Sequence, residues 1–342
     1  MKSLSGKHII PLANEGALDP ASPHALTADD IAQLITGELP AAMLGWDKPR
    51  VLLYAHGGVV DAVSATQYAL NNIDRYLSAH IFPLFFVWRS SPMDALQFAI
   101  QDVLRTTTKK PKGLLDEEVD AFVETIARAP VKPLWSEMKE NALAATTNAN
   151  GGARLIANQL AVLKQALPAL EIHLAGHSAG GIFHGPLSQF IVSDAVTAGP
   201  LAGQRGLGLE IASCSLWAPG CTHALFKQTY APALQSGRIK RFSVYTLSDQ
   251  AERGDITAGI YHKSVLYLVS NALESRLARL FGFAGEPLLG LQKFQSRDAE
   301  IQSLVGEWVL AGEHPEICAA TSHGGFDDDS ATINSTIKRI VG

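Results

Sequence analysis

The chain has 342 residues, of which 47% are hydrophobic and 18% are charged, against about 25% charged residues in an average protein. This composition can supply a large buried core and excludes a largely disordered chain. The 28 basic and 33 acidic residues give a net charge of −5, which argues against a nucleic-acid-binding protein, since that function needs a basic surface.

Strands are predicted where short apolar runs, rich in β-branched and aromatic residues, end in turn-forming residues. Most of these runs lack polar alternation, as expected for strands that are covered on both faces. They lie at residues 7–12, 51–55, 82–88, 171–175, 210–217, 240–246 and 316–321. Helical spacing of apolar residues at 61–80 and 152–167 falls between them. The alternation predicts an α/β protein, residues 1–342 forming one domain, with a mostly parallel central sheet and helices on both faces.

Two intervals are too long to be simple connections, and we expect both to be helical insertions. The first spans about 90–150 and carries an apolar stripe at Leu115, Val119, Phe122 and Ile126. The second spans about 250–314 and has helical spacing at 267–273 and 277–283. In an enzyme the two insertions would form a lid or pocket walls. The alternative is that both insertions only extend the core.

The most specific motif is Gly-His-Ser-Ala-Gly at 176–180, which lies between a predicted strand and a predicted helix. A serine on such a sharp turn projects above the carboxyl edge of the sheet, and the flanking glycines let strand and helix pass closely. Ser178 is therefore the candidate nucleophile. The alternative is an unreactive glycine-rich turn.

A second motif, His56-Gly57-Gly58, follows the strand predicted at 51–55. Glycine backbone N–H groups at this edge could bind the oxyanion of an acyl-transfer intermediate. Gly57 or Gly58 would supply one donor, and Ala179, which follows the serine, would supply the other. We expect His56 to hold this loop rather than to carry protons.

With these two motifs the chain resembles the α/β-hydrolase-fold serine hydrolases of the esterase and lipase kind. In that family the acid and the histidine follow the serine in chain order, each after a later strand. The resemblance implies Asp249, which follows the run at 240–246, as the acid, and His323, which follows the run at 316–321, as the base. It covers about half of the chain. The segment His-Gly-Gly-Val is shorter than the His-Gly-Gly-Gly of some esterases, so the identity of the oxyanion donor stays open.

Other residues could take these roles. Glu252 and Asp255 lie on the same segment as Asp249 and are alternative acids. The other histidines considered as the base are expected to be structural; they are His173, His177, His184, His262 and His314. The run of three aspartates at 327–329 is predicted to cap a C-terminal helix at 330–341 rather than to bind calcium.

The resemblance implies hydrolysis of a carboxylic ester through an acyl-serine intermediate, with no metal and no organic cofactor. The partner would be a small-molecule ester, and the low charge suggests an apolar acyl group. The same triad would serve a peptidase, an amidase or a thioesterase, and a hydrolase-like binding protein without turnover is a third alternative.

Location is predicted from what the sequence lacks. The densest apolar run, at 81–88, is much shorter than the about 20 residues that span a membrane, and the N-terminus does not resemble a secretory signal. The chain has three cysteines and no C-x-x-C pair, which is typical of a reducing compartment. We therefore expect a cytoplasmic protein without a membrane span.

Overall fold

The computed structural model describes residues 7–58, 60–88, 116–257, 259, 261–274 and 285–342. In this part of the chain seven strands form one sheet, in the order β1-β3-β2-β4-β5-β6-β7, and every neighbouring pair is parallel. The strands are β1 (Ile9–Leu12), β2 (Arg50–Ala55), β3 (Phe82–Trp88), β4 (Glu171–His177), β5 (Ser213–Trp217), β6 (Phe242–Thr246) and β7 (Glu307–Leu310). The α/β class with a mostly parallel sheet is therefore confirmed.

Helices connect the strands and follow the last one. They are α1 (Ala28–Gln33), α2 (Leu39–Ala42), α3 (Ala62–Leu77), α4 (Asp116–Thr147), α5 (Gly152–Ala166), α6 (Gly180–Val192), α7 (His223–Gln235), α8 (Asp249–Gly254), α9 (Val265–Leu268), α10 (Gln292–Gln295), α11 (Ala299–Leu304) and α12 (Ser330–Val341). Single π-helical turns extend α1 at Leu34–Glu38 and α9 at Val269–Leu273. No helix of the described residues is long and apolar enough to cross a membrane.

Both faces of the sheet are covered, which explains why the central strands are apolar without alternation. On one face, Tyr54 of β2 stacks on Tyr68 of α3, with ring centroids 5.1 Å apart. On the same face the indole N–H of Trp217 donates to Thr336 of α12 at 3.1 Å. On the other face, Phe86 of β3 packs against Phe183 of α6 at 4.9 Å.

The position of the last strand was predicted wrongly. Residues 316–321 form an irregular loop, and β7 lies earlier, at Glu307–Leu310, within the second predicted insertion. As an edge strand β7 is only partly buried, so it lacks the continuous apolar run on which the prediction relied. The loop is apolar for another reason: Cys318 is buried, and its sulfur accepts a hydrogen bond from Thr332 of α12.

The two long intervals differ in structure. Within the first, α4 is a helix of 32 residues that contains Pro130 and Pro133, whereas Leu115 lies outside the described residues. The second interval contains the short helices α8 to α11 as well as β7, so it is not purely helical. The helical spacing at 277–283 falls outside the described residues.

Two buried histidines make the fold sensitive to acid. Burial lowers the pKa of His56 and of His184 from 6.5 to about 4. Below pH 6.5 the unfolded chain binds protons that the folded chain excludes, so stability is lost as the pH falls toward 4. Complete loss across this window amounts to about 3 kcal/mol for each histidine.

We predict that His184→Gln makes the free energy of unfolding less dependent on pH between neutrality and pH 4. His184 Nε2 donates to the Ala175 carbonyl at 2.8 Å, and a glutamine amide can replace that donor without titrating. Urea unfolding at a series of pH values measures the effect, with His314→Gln at an exposed position as the control. Equal slopes for the native chain and His184→Gln would contradict the prediction.

Candidate active site

Ser178 lies on a strained turn between β4 and α6. Its φ of 53° is in the left-handed region, which costs a residue other than glycine about 1 kcal/mol or more. Neighbouring backbone holds it there: the Ser178 N–H donates to the Trp217 carbonyl at 2.8 Å, and its carbonyl accepts from Gly181 at 3.0 Å and Gly220 at 2.8 Å. The Gly-His-Ser-Ala-Gly motif thus forms the predicted strand–turn–helix.

The glycines of this motif allow close backbone packing. A Cβ at Gly180 would lie 2.2 Å from the carbonyl oxygen of Ala55, at the end of β2. A Cβ at Gly176 would lie 2.9 Å from the ring of His184. The start of α6 therefore passes the end of β2 at a distance that only glycine permits.

We predict that Gly180→Ala destabilises the protein by about 3 kcal/mol, because the added methyl group overlaps backbone that cannot move freely. Gly37→Ala is the matched control, since a Cβ there meets nothing within 4 Å. The control should change stability by about 1 kcal/mol at most. Chemical denaturation compares the two variants. Equal stabilities would contradict the prediction and show that the backbone of β2 moves to accommodate the methyl group.

His323 lies opposite the serine. It begins a 3₁₀ turn, His323–Phe326, beyond β7, and its Nε2 is 2.9 Å from Ser178 Oγ. Both residues are buried, with 5% and 4% of their surface exposed. Burial, followed by the nearby charge of His177, holds the pKa of His323 well below its usual value. The imidazole is therefore neutral at neutral pH and can accept a proton from the hydroxyl.

The loop after β2 lies against the same turn. A Cβ at Gly57 would be 3.3 Å from that of Ser178, and a Cβ at Gly58 would be 3.1 Å from that of Ala179. Within the described residues the N–H groups of Gly57, Gly58 and Ala179 donate to no backbone carbonyl. Gly57 and Gly58 thus lie close to Ser178 and Ala179, and their role as oxyanion donors stays a prediction.

His56 holds this loop, and no hydrogen bond joins it to Ser178 in the described part of the chain. Its Nδ1 lies 2.7 Å from the Gly57 carbonyl, and its Nε2 accepts the backbone N–H of Trp88 at 3.2 Å. Burial lowers the pKa of His56 to about 4, so it is neutral. This agrees with the structural role that we expected.

Asp249 makes contacts other than the one implied by the resemblance. One of its carboxylate oxygens accepts from the hydroxyl of Tyr267, and the other accepts from Arg253 Nε at 2.9 Å. Asp249 stands at the first position of α8, and 38% of its side chain is exposed. No hydrogen bond joins it to His323 in the described part of the chain.

Asp255, which follows α8, is the carboxylate that the structure brings to His323. Its Oδ2 accepts the backbone N–H of His323 at 2.8 Å, and its Oδ1 accepts from Ile256 at 2.8 Å. The Nδ1 atom of His323 is buried without a hydrogen-bond partner among the described residues. The Asp255 carboxylate thus contacts the backbone N–H of His323, and no hydrogen bond joins it to the ring in the described part of the chain.

Glu252, one turn before Asp255, is fully buried. Burial raises its pKa to about 8, so the carboxyl group is mostly protonated at neutral pH. A protonated acid cannot stabilise an imidazolium by its charge, which makes Glu252 a poor electrostatic partner for His323.

A second group of polar residues lies beside Ser178 and His323 and was not predicted. The Nδ1 of His177 is 2.8 Å from Oδ2 of Asp327, and its Nε2 is 2.9 Å from the carbonyl oxygen of His323. The hydroxyl of Tyr54 donates to the other Asp327 oxygen at 2.5 Å. Asp329 alone of the three aspartates caps α12 with its side chain. No local pattern distinguishes Asp327 from its two neighbours, so only the fold reveals its role.

Three of the other histidines that were considered as the base contact polar side chains elsewhere. His173 Nδ1 lies 2.8 Å from the Ser213 hydroxyl, whereas the rings of His262 and His314 lie 3.5 Å from Asp120 and Glu316 respectively. Among the described residues no group of three or more histidines, cysteines or acids is arranged to bind a metal ion.

Comparison of the chain with protein-family models, curated proteins and solved structures gives no match.

Proposed function

We propose that the protein is a serine hydrolase that cleaves carboxylic esters through an acyl-serine intermediate. The observation that carries the proposal is the 2.9 Å separation of His323 Nε2 and Ser178 Oγ, at a serine whose φ is 53°. A hydroxyl on a strained turn at the carboxyl edge of a parallel sheet, within hydrogen-bond reach of a neutral imidazole, has the geometry that nucleophilic catalysis requires.

The proposed reaction follows from the proton balance. Ser178 Oγ attacks the ester carbonyl carbon while its proton passes to Nε2 of His323, and the imidazolium then protonates the leaving alkoxide. Water enters, gives its proton to the same nitrogen and attacks the acyl-serine, which releases the carboxylic acid and restores the serine. The backbone N–H groups of Ala179 and of Gly57 or Gly58 would bind the oxyanion.

We assign the orientation of His323 to Asp255 rather than to Asp249. Nε2 accepts the serine proton, so the ring must carry its hydrogen on Nδ1, where a carboxylate would hold it and stabilise the imidazolium. The Asp255 carboxylate already binds the backbone of His323 at 2.8 Å, whereas that of Asp249 is occupied by Tyr267 and Arg253.

Esters, amides and thioesters all pass through an acyl-serine. The proposed mechanism therefore applies to each of the three substrate classes. Comparing kcat/KM for short p-nitrophenyl esters, peptides and acyl thioesters decides among them. A large preference for peptides or thioesters would replace the ester assignment by peptidase or thioesterase.

We predict that a fluorophosphonate probe labels the native chain at one serine and that Ser178→Ala abolishes this labelling. Ester turnover should fall by about 10³-fold or more, because the covalent route is lost. Mass spectrometry of the labelled peptide identifies the site. Ser303→Ala, at an exposed position of α11, is the matched control. A native chain that resists the probe would favour a binding protein without turnover.

We predict that Asp255→Asn reduces kcat by about 10³-fold or more, because an amide cannot stabilise the imidazolium by charge. Asp249→Asn should change kcat by about threefold at most, since partly exposed ion pairs contribute little. Steady-state kinetics with circular dichroism as the folding control tests both variants. A larger loss for Asp249→Asn than for Asp255→Asn would restore Asp249 as the acid.

A further inference from the structure

The two ring nitrogens of His177 face two hydrogen-bond acceptors. The carbonyl of His323, 2.9 Å from Nε2, has no hydrogen to donate, so Nε2 must carry one. Nδ1 faces the carboxylate of Asp327 at 2.8 Å. The contact on Nε2 therefore determines the tautomer of His177, and the remaining proton is shared between Nδ1 and Asp327.

The surroundings of Asp327 favour the arrangement in which that proton is on His177. The second carboxylate oxygen of Asp327 accepts from the Tyr54 hydroxyl at 2.5 Å, and hydrogen bonds to a carboxylate favour its ionised form. Burial alone would raise the pKa of Asp327, but His177 and Tyr54 outweigh it and lower that pKa. Burial alone would lower the pKa of His177, but the charge and hydrogen bond of Asp327 raise it.

His177 is also placed to act on both of the residues between which the proton moves. It is the residue immediately before Ser178, and its Nε2–H binds the backbone of His323. The rings of His177 and His323 are tilted toward each other, with centroids 5.0 Å apart. One side chain thus connects the serine turn to the segment that carries the imidazole.

We propose, on the basis of the hydrolase function above, that His177 is a positioning residue: an imidazolium, held by the Asp327 carboxylate that Tyr54 also binds, that fixes His323 relative to Ser178 and keeps a positive charge beside the His323 ring. A positive charge at this distance disfavours a second cation on His323. His323 therefore stays a neutral base at lower pH than it otherwise would. The titratable groups around the His177–Asp327 pair are Tyr54, Tyr68, Tyr76, His56 and His323.

Asp327→Asn tests the charge while preserving the contacts. The asparagine oxygen can accept from Tyr54, and its amide N–H can donate to Nδ1 of a neutral His177 that still donates from Nε2. The substitution thus removes both charges of the pair. The effect of His177 on the pKa of His323 exceeds the opposite effect of Asp327, so the pKa of His323 should rise.

We predict that the acid limb of fluorophosphonate labelling at Ser178, measured as rate against pH, moves to higher pH by about half a unit or more in Asp327→Asn. His177→Gln should move the limb in the same direction, because it also removes the cation. His314→Gln, at an exposed histidine, is the control and should leave the profile unchanged. If Asp327→Asn and His177→Gln each lower the labelling rate equally at every pH, His177 is an uncharged structural contact and the proposal is overturned.

Nitrogen-15 NMR of the histidine side chains tests the imidazolium without relying on activity. In the native chain both His177 nitrogens should carry protons at neutral pH, and in Asp327→Asn only Nε2 should carry one. His177→Gln assigns the signals. A neutral His177 in a native chain that the probe labels would overturn this inference and leave the hydrolase intact. A chain that resists the probe but contains the imidazolium would overturn the hydrolase instead.

Discussion

The left-handed backbone at Ser178 is the constraint on which the rest of the site depends. A residue with a side chain holds this conformation only when its surroundings compensate for the strain. Here the N–H of Ser178 is bound by β5 and its carbonyl by Gly181 and Gly220. The compensation is available only once β4 and β5 pair and α6 begins close to the end of β2, so the left-handed turn is a property of the assembled sheet.

Burial then decides the protonation states around that turn. His323 and His56 are neutral because burial disfavours a charged imidazolium, whereas the charge and hydrogen bond of Asp327 raise the pKa of His177. Three neighbouring histidines therefore differ in the direction of their pKa shifts, although their intrinsic pKa values are the same. The difference lies in the acceptors that surround each ring.

The inserted segments contribute to the site through contacts on its rim. Met138 of α4 approaches Gly58, since a Cβ on that glycine would lie 3.2 Å from the methionine sulfur. The same helix is joined to the second insertion by Trp135 and Lys139, whose nitrogens donate to Glu274 at 2.7 and 2.8 Å. The helix that approaches Gly58 is thus bound by a segment that is distant in sequence.

Much of the fold could be predicted from the sequence, because the signals are local. Buried parallel strands are short apolar runs, and the glycine spacing around Ser178 reports the close approach of strand and helix. The prediction failed for β7, because this edge strand is only partly buried and lacks a continuous apolar run. The apolar loop at 316–321 was predicted as the last strand instead.

The sequence by itself determined the α/β order, the strand–turn–helix at Ser178 and the placement of His323 beyond the later strands. Only the tertiary structure decided which carboxylate meets which histidine. Asp249 and Asp255 lie at the two ends of one short helix, and the direction of each side chain depends on what packs against that helix. Similarly, Asp327 is 150 residues from His177, and the ordering of the sheet brings them together. Composition and spacing do not predict such contacts, because the free energy of these contacts arises from burial that exists only after the chain has folded.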